Sequence, residues 1–239
     1  MKRVIIVAGG PNPATKKIKK EQYDFWIGVD RGAITLIHNG FPIDVAFGDF
    51  DSVLTREYLT IKKRAGQLFE YNSEKDDTDL QLALMYVIEQ LPEVASIHIF
   101  GGLGSSLHGR IDHFIANMWI SYEPRFASII NRIRWIEEKH EMQAFLPGKH
   151  CITNELEYRY LSIISYTPVK QLAIEGAKYQ LAATDFDVPR ALISNEFLPE
   201  QPEVLLSFET GIVTVWFVKK DNPVEIECDL FDRGLHNFL

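Results

Sequence analysis

Up to about Pro124 the chain alternates between two kinds of segment, and this alternation constrains the fold more than any other feature. Short apolar runs stand at RVIIVAG, DFWIGVD, DVAFGD, GQLFEY and SIHIFGG. Between several of them the apolar residues take a helical period. Leu80, Leu84, Val87, Ile88 and Leu91 share one stripe, and Ile111, Phe114, Ile115, Met118 and Trp119 share another. A strand that is apolar throughout must be covered on both faces, so these runs predict a parallel sheet between two helical layers. After Pro124 the pattern changes. ASIINRIRWIEE, ELEYRYLSIISY, VKQLAIEGAKYQL and EVLLSFETGIVTVWFVKK alternate apolar with polar or turn residues, and long helices are absent. FETGIVTVWF predicts a hairpin turning at Thr210-Gly211. The expected architecture is α/β plus all-β. An N-terminal, Rossmann-like, parallel-sheet α/β domain occupies 1–125, and an antiparallel β-sandwich domain occupies 126–239.

Composition excludes several classes. The 239 residues are 46% apolar and 24% charged, which is ordinary for a globular chain, and the formal net charge is −8. A nucleic-acid binder carries a basic surplus, so that role is not expected. Cys151 and Cys228 are far apart and in no CxxC pattern, which argues against a zinc site or disulfide framework and for a reducing cytoplasm. MKRVIIVAGG has a basic end and an apolar run, but the run is too short for a signal peptide and reads as a first strand. No segment is long and apolar enough to span a bilayer. The basic run KKIKK at 16–20 reads as a solvated helix face, with a contact to a phosphate tail as the alternative.

Two stretches concentrate carboxylates where strands give way to helices. VAFGDFDS places Asp49 and Asp51 after one strand, and EKDDTDLQLAL places Asp76, Asp77 and Asp79 before a helix. Asp30 ends another strand. In an open parallel sheet, ligands sit outside the carboxyl ends of the strands, which is where these groups fall. If GDFDS is extended, Asp49 and Asp51 point the same way and repel, which is tolerated if they are solvated, if one is protonated, or if a cation sits between them. Helix capping accounts for DDTD equally well, but not for GDFDS. Two carboxylate clusters at one sheet edge suggest a divalent metal, and oxygen-only ligands favour Mg²⁺ shared with substrate phosphates. GGLGSSLHGRIDH joins a strand to a helix, so its backbone N–H groups can face an anion. Gly104 to Gly109 has P-loop spacing, but Arg110-Ile111 stands where Lys and Ser or Thr belong, and Leu107 breaks a GxGxxG pattern. Arg110 adds a fork suited to phosphate, Asp112 a further carboxylate, and His113 reads as structural.

GDFDS, KDDTDLQLAL and GRIDH, in that order, resemble the thiamine pyrophosphokinase family, and LPGKH, IEGAKYQL and ISNEF extend the resemblance over nearly the whole chain. His108 and Arg31 stand where glycine is frequent in that family, which bears on local loop shape. The resemblance implies transfer of a pyrophosphoryl group from ATP to the hydroxyethyl oxygen of thiamine, with AMP leaving. It implies Mg²⁺ held by Asp49, Asp51, Asp76 and Asp79, directly or through water. Lys75 and Arg110 are implied at the phosphates, and Thr78 as a cap or a nucleotide contact. Asp112 orients the thiamine hydroxyl or joins the metal shell. Gly10, Asp30 and Gly102 belong at the nucleotide edge, and Ser194 and Asn195 at thiamine, unless that pair only makes a turn between strands. The family's members are homodimers with a shared active site, so the same is expected here. A Mg²⁺-dependent phosphohydrolase and a non-catalytic nucleotide-binding module are the alternatives.

Overall fold

The computed structural model describes residues 1–71, 76–104, 109–154, 158–201 and 203–219. Its first half is built on β1 (Lys2–Val7), β2 (Phe25–Val29), β3 (Val45–Gly48), β4 (Gln67–Glu70) and β5 (Val94–Phe100), with β6 (Ile133–Ile136) beyond. These six strands pair in parallel in the order β6-β5-β1-β2-β3-β4. The connections carry α1 (Arg31–His38), α2 (Thr55–Arg64), α3 (Asp79–Gln90) and α4 (Ile111–Trp119). Successive residues of β1 enter different cores. Val4 and Ile6 pack in the one that includes Leu80, Leu84 and Val87 of α3, while Ile5 and Val7 pack in the one that includes Ala33, Ile34 and Leu36 of α1. Burial on both faces is why the strands read as unbroken apolar runs.

The chain runs from β1 outward through β2, β3 and β4, then returns to place β5 on the other side of β1. The crevice at the carboxyl ends of β1 and β5 is therefore the topological switch point of the sheet. Two glycine-containing loops meet there. A Cβ on Gly10 would lie 2.2 Å from the Gly101 carbonyl oxygen, and one on Gly102 would lie 2.8 Å from the Trp135 ring. The loops are as close as backbone allows.

Antiparallel pairing begins where β7 (His140–Phe145) folds back on β6. The same sheet continues through β14 (Val213–Val218), β9 (Tyr160–Ser165) and β12 (Arg190–Glu196), reaching ten strands. A second sheet is formed by β8 (Gly148–Thr153), β13 (Glu203–Phe208), β10 (Val169–Glu175) and β11 (Leu181–Phe186). Leu161, Ile163, Val215 and Phe217 from the large sheet meet Ile152, Leu172, Ile174, Val204 and Leu206 from the small one, and this core makes the second half a sandwich.

Two expectations need correction. Thr210-Gly211 does not close a hairpin, because β13 pairs with β8 and β10 whereas β14 pairs with β7 and β9. The segment crosses from one sheet to the other, with Gly211 at φ +93 and its Cβ position 2.4 Å from the Pro168 carbonyl oxygen. The apolar stripe of α4 is also not all core. Met118 is buried, but Ile111, Ile115 and Trp119 are 74%, 44% and 46% exposed.

Candidate functional site

Three loops bring carboxylates together at the switch point. Asp30 follows β2 with φ 47 and ψ −122, a conformation that a side chain other than glycine rarely takes. Gly48, the last residue of β3, makes room for it, since a Cβ there would sit 2.2 Å from Asp30 Oδ1. The following GDFDS segment is not extended. Phe50 adopts φ +55 and is buried, and the Asp51 N–H donates to Asp49 Oδ1 at 3.2 Å. Asp49 and Asp51 therefore do not project side by side from a strand. Asp79 is the first residue of α3, fixed by the Thr78 cap. Asp30, Asp49 and Asp79 each offer an oxygen within 4.8 Å of the others.

The cap is a closed box. Thr78 Oγ1 accepts the Gln81 N–H at 3.2 Å, and Gln81 Oε1 accepts the Thr78 N–H at 2.8 Å. The capping alternative for Thr78 thus holds, and it aims the helix N-terminus with Asp79 at the crevice. Asp77, which also lines the crevice, accepts a bidentate contact from Arg125, at 2.6 and 2.9 Å. Arg125 also meets Glu123, and these partners hold its guanidinium well above its ordinary pKa.

A cavity of ≈ 550 Å³ contains these groups and most of the expected site: Gly10, Asp49, Asp51, Asp76, Gly102 and Arg110 line it, with Asp30, Thr78 and Asp79. Lys75 lies outside the described residues. Asp112 is not on the cavity wall; its carboxylate takes a bidentate contact from Arg110, at 3.2 and 2.5 Å. That contact lowers the Asp112 pKa and raises that of Arg110, and both side chains are largely exposed.

Ser194 and Asn195 are elsewhere. They lie on β12, the far edge of the ten-stranded sheet, with β9, β14, β7, β6 and β5 between it and β1. Asn195 is buried, and its amide joins the Tyr179 backbone at both ends, accepting from N–H at 2.9 Å and donating to C=O at 2.7 Å. Ser194 is exposed at φ +59, its N–H bonded to Ser162 Oγ.

Some contributors escape sequence reasoning. Asp30 is expected at the nucleotide edge, yet it joins the carboxylate triplet; the adjacency of β2 and β3 is the signal that could have placed it there. Asn117 on α4 donates to the Gly102 carbonyl at 2.6 Å, and Glu137 accepts the Leu103 N–H at 2.8 Å, so both hold the glycine loop. Nothing in the linear sequence marks either residue.

The oxygen-only triplet suits a hard cation. Octahedral Mg²⁺ at ~2.1 Å from each ligand separates its ligand oxygens by roughly 3–4 Å, so oxygens within 4.8 Å need little adjustment to share one ion directly or through water.

Comparison with known proteins places the chain in a family. Residues 17–131 match the family model described as thiamin pyrophosphokinase, catalytic domain, and 149–213 match that of the vitamin B1 binding domain. A curated relative, the thiamine pyrophosphokinase of Bacillus subtilis, is 37% identical over 217 residues, covering 89% of this chain and 97% of its own. The crystal structure of a thiamin pyrophosphokinase family protein from Enterococcus faecalis superposes with TM-score 0.84 at 34% identity, covering 92% of this chain and 100% of that one. Thiamin pyrophosphokinase from Candida albicans shares the fold, with TM-score 0.66 at 13% identity over 91% of this chain and 90% of its own.

Proposed function

This chain belongs to the thiamin pyrophosphokinase family, and from that premise we propose how its residues move the pyrophosphoryl group of ATP onto thiamine. The chain is a thiamine diphosphokinase: ATP and thiamine give AMP and thiamine diphosphate. The observation that carries the reading is the convergence of Asp30, Asp49 and Asp79 at the switch-point crevice. In our reading, residues 1–125 hold ATP and residues 126–239 supply the thiamine contacts.

Carboxylates cannot approach phosphates unaided, so Asp49 and Asp79, with Asp30, Asp51 and Asp76 beside them, would hold Mg²⁺. When bound, that ion would neutralise phosphate charge. Gly10 and Gly102 let backbone approach the nucleotide, and the Thr78 cap keeps Asp79 in position. Arg110 is the phosphate fork, with Lys75 assigned beside it from sequence. Asp112, paired with Arg110, orients the thiamine hydroxyl or exchanges that pairing for the metal shell. The hydroxyl oxygen bonds to the β-phosphorus, the bond from that phosphorus to the α-phosphate's bridging oxygen breaks, and the hydroxyl proton is released. Positioning and charge neutralisation supply the rate.

Thiamine meets Ser194 in this scheme, with Asn195 beneath it holding the Tyr179 backbone. One chain keeps this edge far from the carboxylates, so the site is completed by a second copy. Two exposed apolar patches fit that assembly: Ile111, Ile115 and Trp119 beside the carboxylate crevice, and Ile193 and Tyr179 beside Ser194. A cytoplasmic setting is part of the same reading. Cys151 is a free, exposed thiol, and no helix among the described residues is long and apolar enough to cross a membrane.

Incubation with ATP, Mg²⁺ and thiamine, assaying both products, tests the reaction. Equal amounts of AMP and thiamine diphosphate are expected. AMP released equally without thiamine would establish the phosphohydrolase instead, and ATP binding without turnover the binding module. Mixing Asp49→Asn protein with a Ser194→Trp variant tests the shared site. Partial recovery of activity on subunit exchange is expected, and a monomeric active wild type would refute it.

A further inference from the structure

Between α4 and β6 the chain makes a 3₁₀ turn, Pro124–Phe126, that packs against the start of α3. Phe126 is fully buried in the core that holds Leu80 and Leu84, and the Arg125 guanidinium lies over its ring at 4.8 Å. From this anchored turn Arg125 Nε donates to Glu123 Oε2 at 2.7 Å, and the two terminal nitrogens donate to the two oxygens of Asp77. Glu123 Oε1 accepts from Gln81 Nε2 at 2.7 Å, and Gln81 Oε1 accepts the Thr78 N–H. Asp77 and Thr78 are consecutive. The contacts therefore close a ring through Asp77, Arg125, Glu123, Gln81 and Thr78.

The ring stands against the carboxylate triplet. Asp77 lines the same cavity as Asp30, Asp49 and Asp79, yet it is not among the three whose oxygens come within 4.8 Å of one another. A bidentate guanidinium engages both carboxylate oxygens and sets their direction. The Arg125 and Asp77 side chains are 36% and 30% exposed, and so solvated an ion pair contributes little to stability. Its larger effect is on where Asp77 points and on how much negative charge faces the crevice.

We propose that Arg125, braced by Glu123, is a positioning residue that keeps Asp77 and its charge out of the cation site formed by Asp30, Asp49 and Asp79. This rests on the reading of that triplet as the Mg²⁺ site of pyrophosphoryl transfer. Three carboxylates giving one oxygen each leave half of an octahedral shell to water and phosphate oxygens. A further carboxylate turned into the same wall competes with phosphate for those positions, and its charge repels ATP. Without the guanidinium, Asp77 adds that charge to the wall it already lines. Arg125 thus sets the balance between holding the bare ion and leaving it open to substrate.

Thermal melts of the full chain across a Mg²⁺ titration, without nucleotide and at low salt, test the assignment. The Mg²⁺ concentration at which the melting temperature begins to rise reports the apparent affinity. Arg125→Met should tighten Mg²⁺ roughly two- to fivefold, the scale of one solvated charge contact, while the apparent constant for ATP rises and turnover falls. Asp77→Asn should bind Mg²⁺ no more tightly than wild type. The variant carrying both changes should lose the tightening, recover turnover to the Asp77→Asn level and melt above Arg125→Met in chelator. Arg125→Lys keeps the charge and loses the fork, so it should fall between Arg125→Met and wild type; it carries the test if Arg125→Met does not fold. A purely structural contact predicts another pattern, with the two single variants alike and the double variant no better than either. That pattern, or Mg²⁺ affinity unchanged or weakened in a folded Arg125→Met protein, would overturn the proposal. A wild type that makes thiamine diphosphate but whose melting ignores Mg²⁺ would refute the cation site and the proposal with it. Mg²⁺ affinities that follow the expected order in a protein making no thiamine diphosphate would refute the reaction and retain the role of Arg125.

Discussion

Replacing Asp49 with Asn isolates charge from shape. The Asn Oδ1 can still accept the Asp51 N–H, so the turn persists. What disappears is the repulsion between Asp49 and each of Asp30 and Asp79, whose oxygens lie within 4.8 Å. Two unit charges at that distance repel by ~0.9 kcal/mol in water and by ~3.5 kcal/mol at an effective dielectric constant near 20. All three groups are only half-buried, so water screens them and the lower figure governs. Losing two such pairs should stabilise the metal-free protein by ~1–2 kcal/mol. For a chain of this size ~1 kcal/mol moves the melting temperature by about 2–4 °C. In chelator, the Asp49→Asn variant should melt a few degrees above wild type. In Mg²⁺ its further rise should be smaller than that of wild type, and AMP release with thiamine should fall at least ~10²-fold. Thermal melts with and without Mg²⁺, followed by product assay, measure all three. A variant that melts below wild type in chelator and keeps the full Mg²⁺ response would make Asp49 a structural acceptor and refute the metal assignment.

Arg110→Lys keeps the charge but loses the fork that now grips Asp112, so turnover should drop at unchanged net charge; full activity would reduce Arg110 to a general field. Asp77→Asn loosens the Arg125 contact and should cost at most ~1 kcal/mol in denaturant melts, with a smaller loss of turnover than Asp79→Asn. Gly10→Ala forces a methyl against the Gly101 carbonyl, backbone against backbone, and should destabilise by ~1–3 kcal/mol in the same melts. Burial raises Tyr23 from 10.0 to about 12, and raises Tyr158 and Tyr122 as well. The neutral phenols are favoured in the fold, so their contribution is complete below pH 10 and is lost as pH rises through the folded values. Stability should fall steadily above about pH 10, and Tyr23→Phe should flatten that slope.

The parallel half is legible because burial on two faces leaves a sequence signature that few other arrangements share. The sandwich is legible only in kind. Alternation in β13 and β14 shows that each strand has one inward face, but Val204 and Val215 reach the same core from opposite sheets. Strands separated by a short turn-like segment look the same whether they pair or cross. The α4 stripe fails for a related reason. Periodicity shows that Ile111, Ile115 and Trp119 share a side of the helix, but it does not show whether this chain or another covers that side.

At the site, sequence placed the carboxylates at the right edge of the sheet, because strand ends are readable; it did not give their directions. The difference in direction between Asp49 and Asp51 is set by Phe50. A left-handed conformation at a non-glycine residue costs of order 1 kcal/mol or more, and nothing in the letters GDFDS announces it. Burying the phenyl ring beneath the sheet, with Tyr58 at 5.7 Å, contributes more than that cost. With the backbone reversed at Phe50 the ring is buried, and Asp51 is turned out of the triplet that Asp49 forms with Asp30 and Asp79. An aromatic residue between two acids therefore acts through the core. Hydrophobic packing fixes which carboxylates share the triplet, and a reading of charge alone assigns Asp49 and Asp51 equal parts.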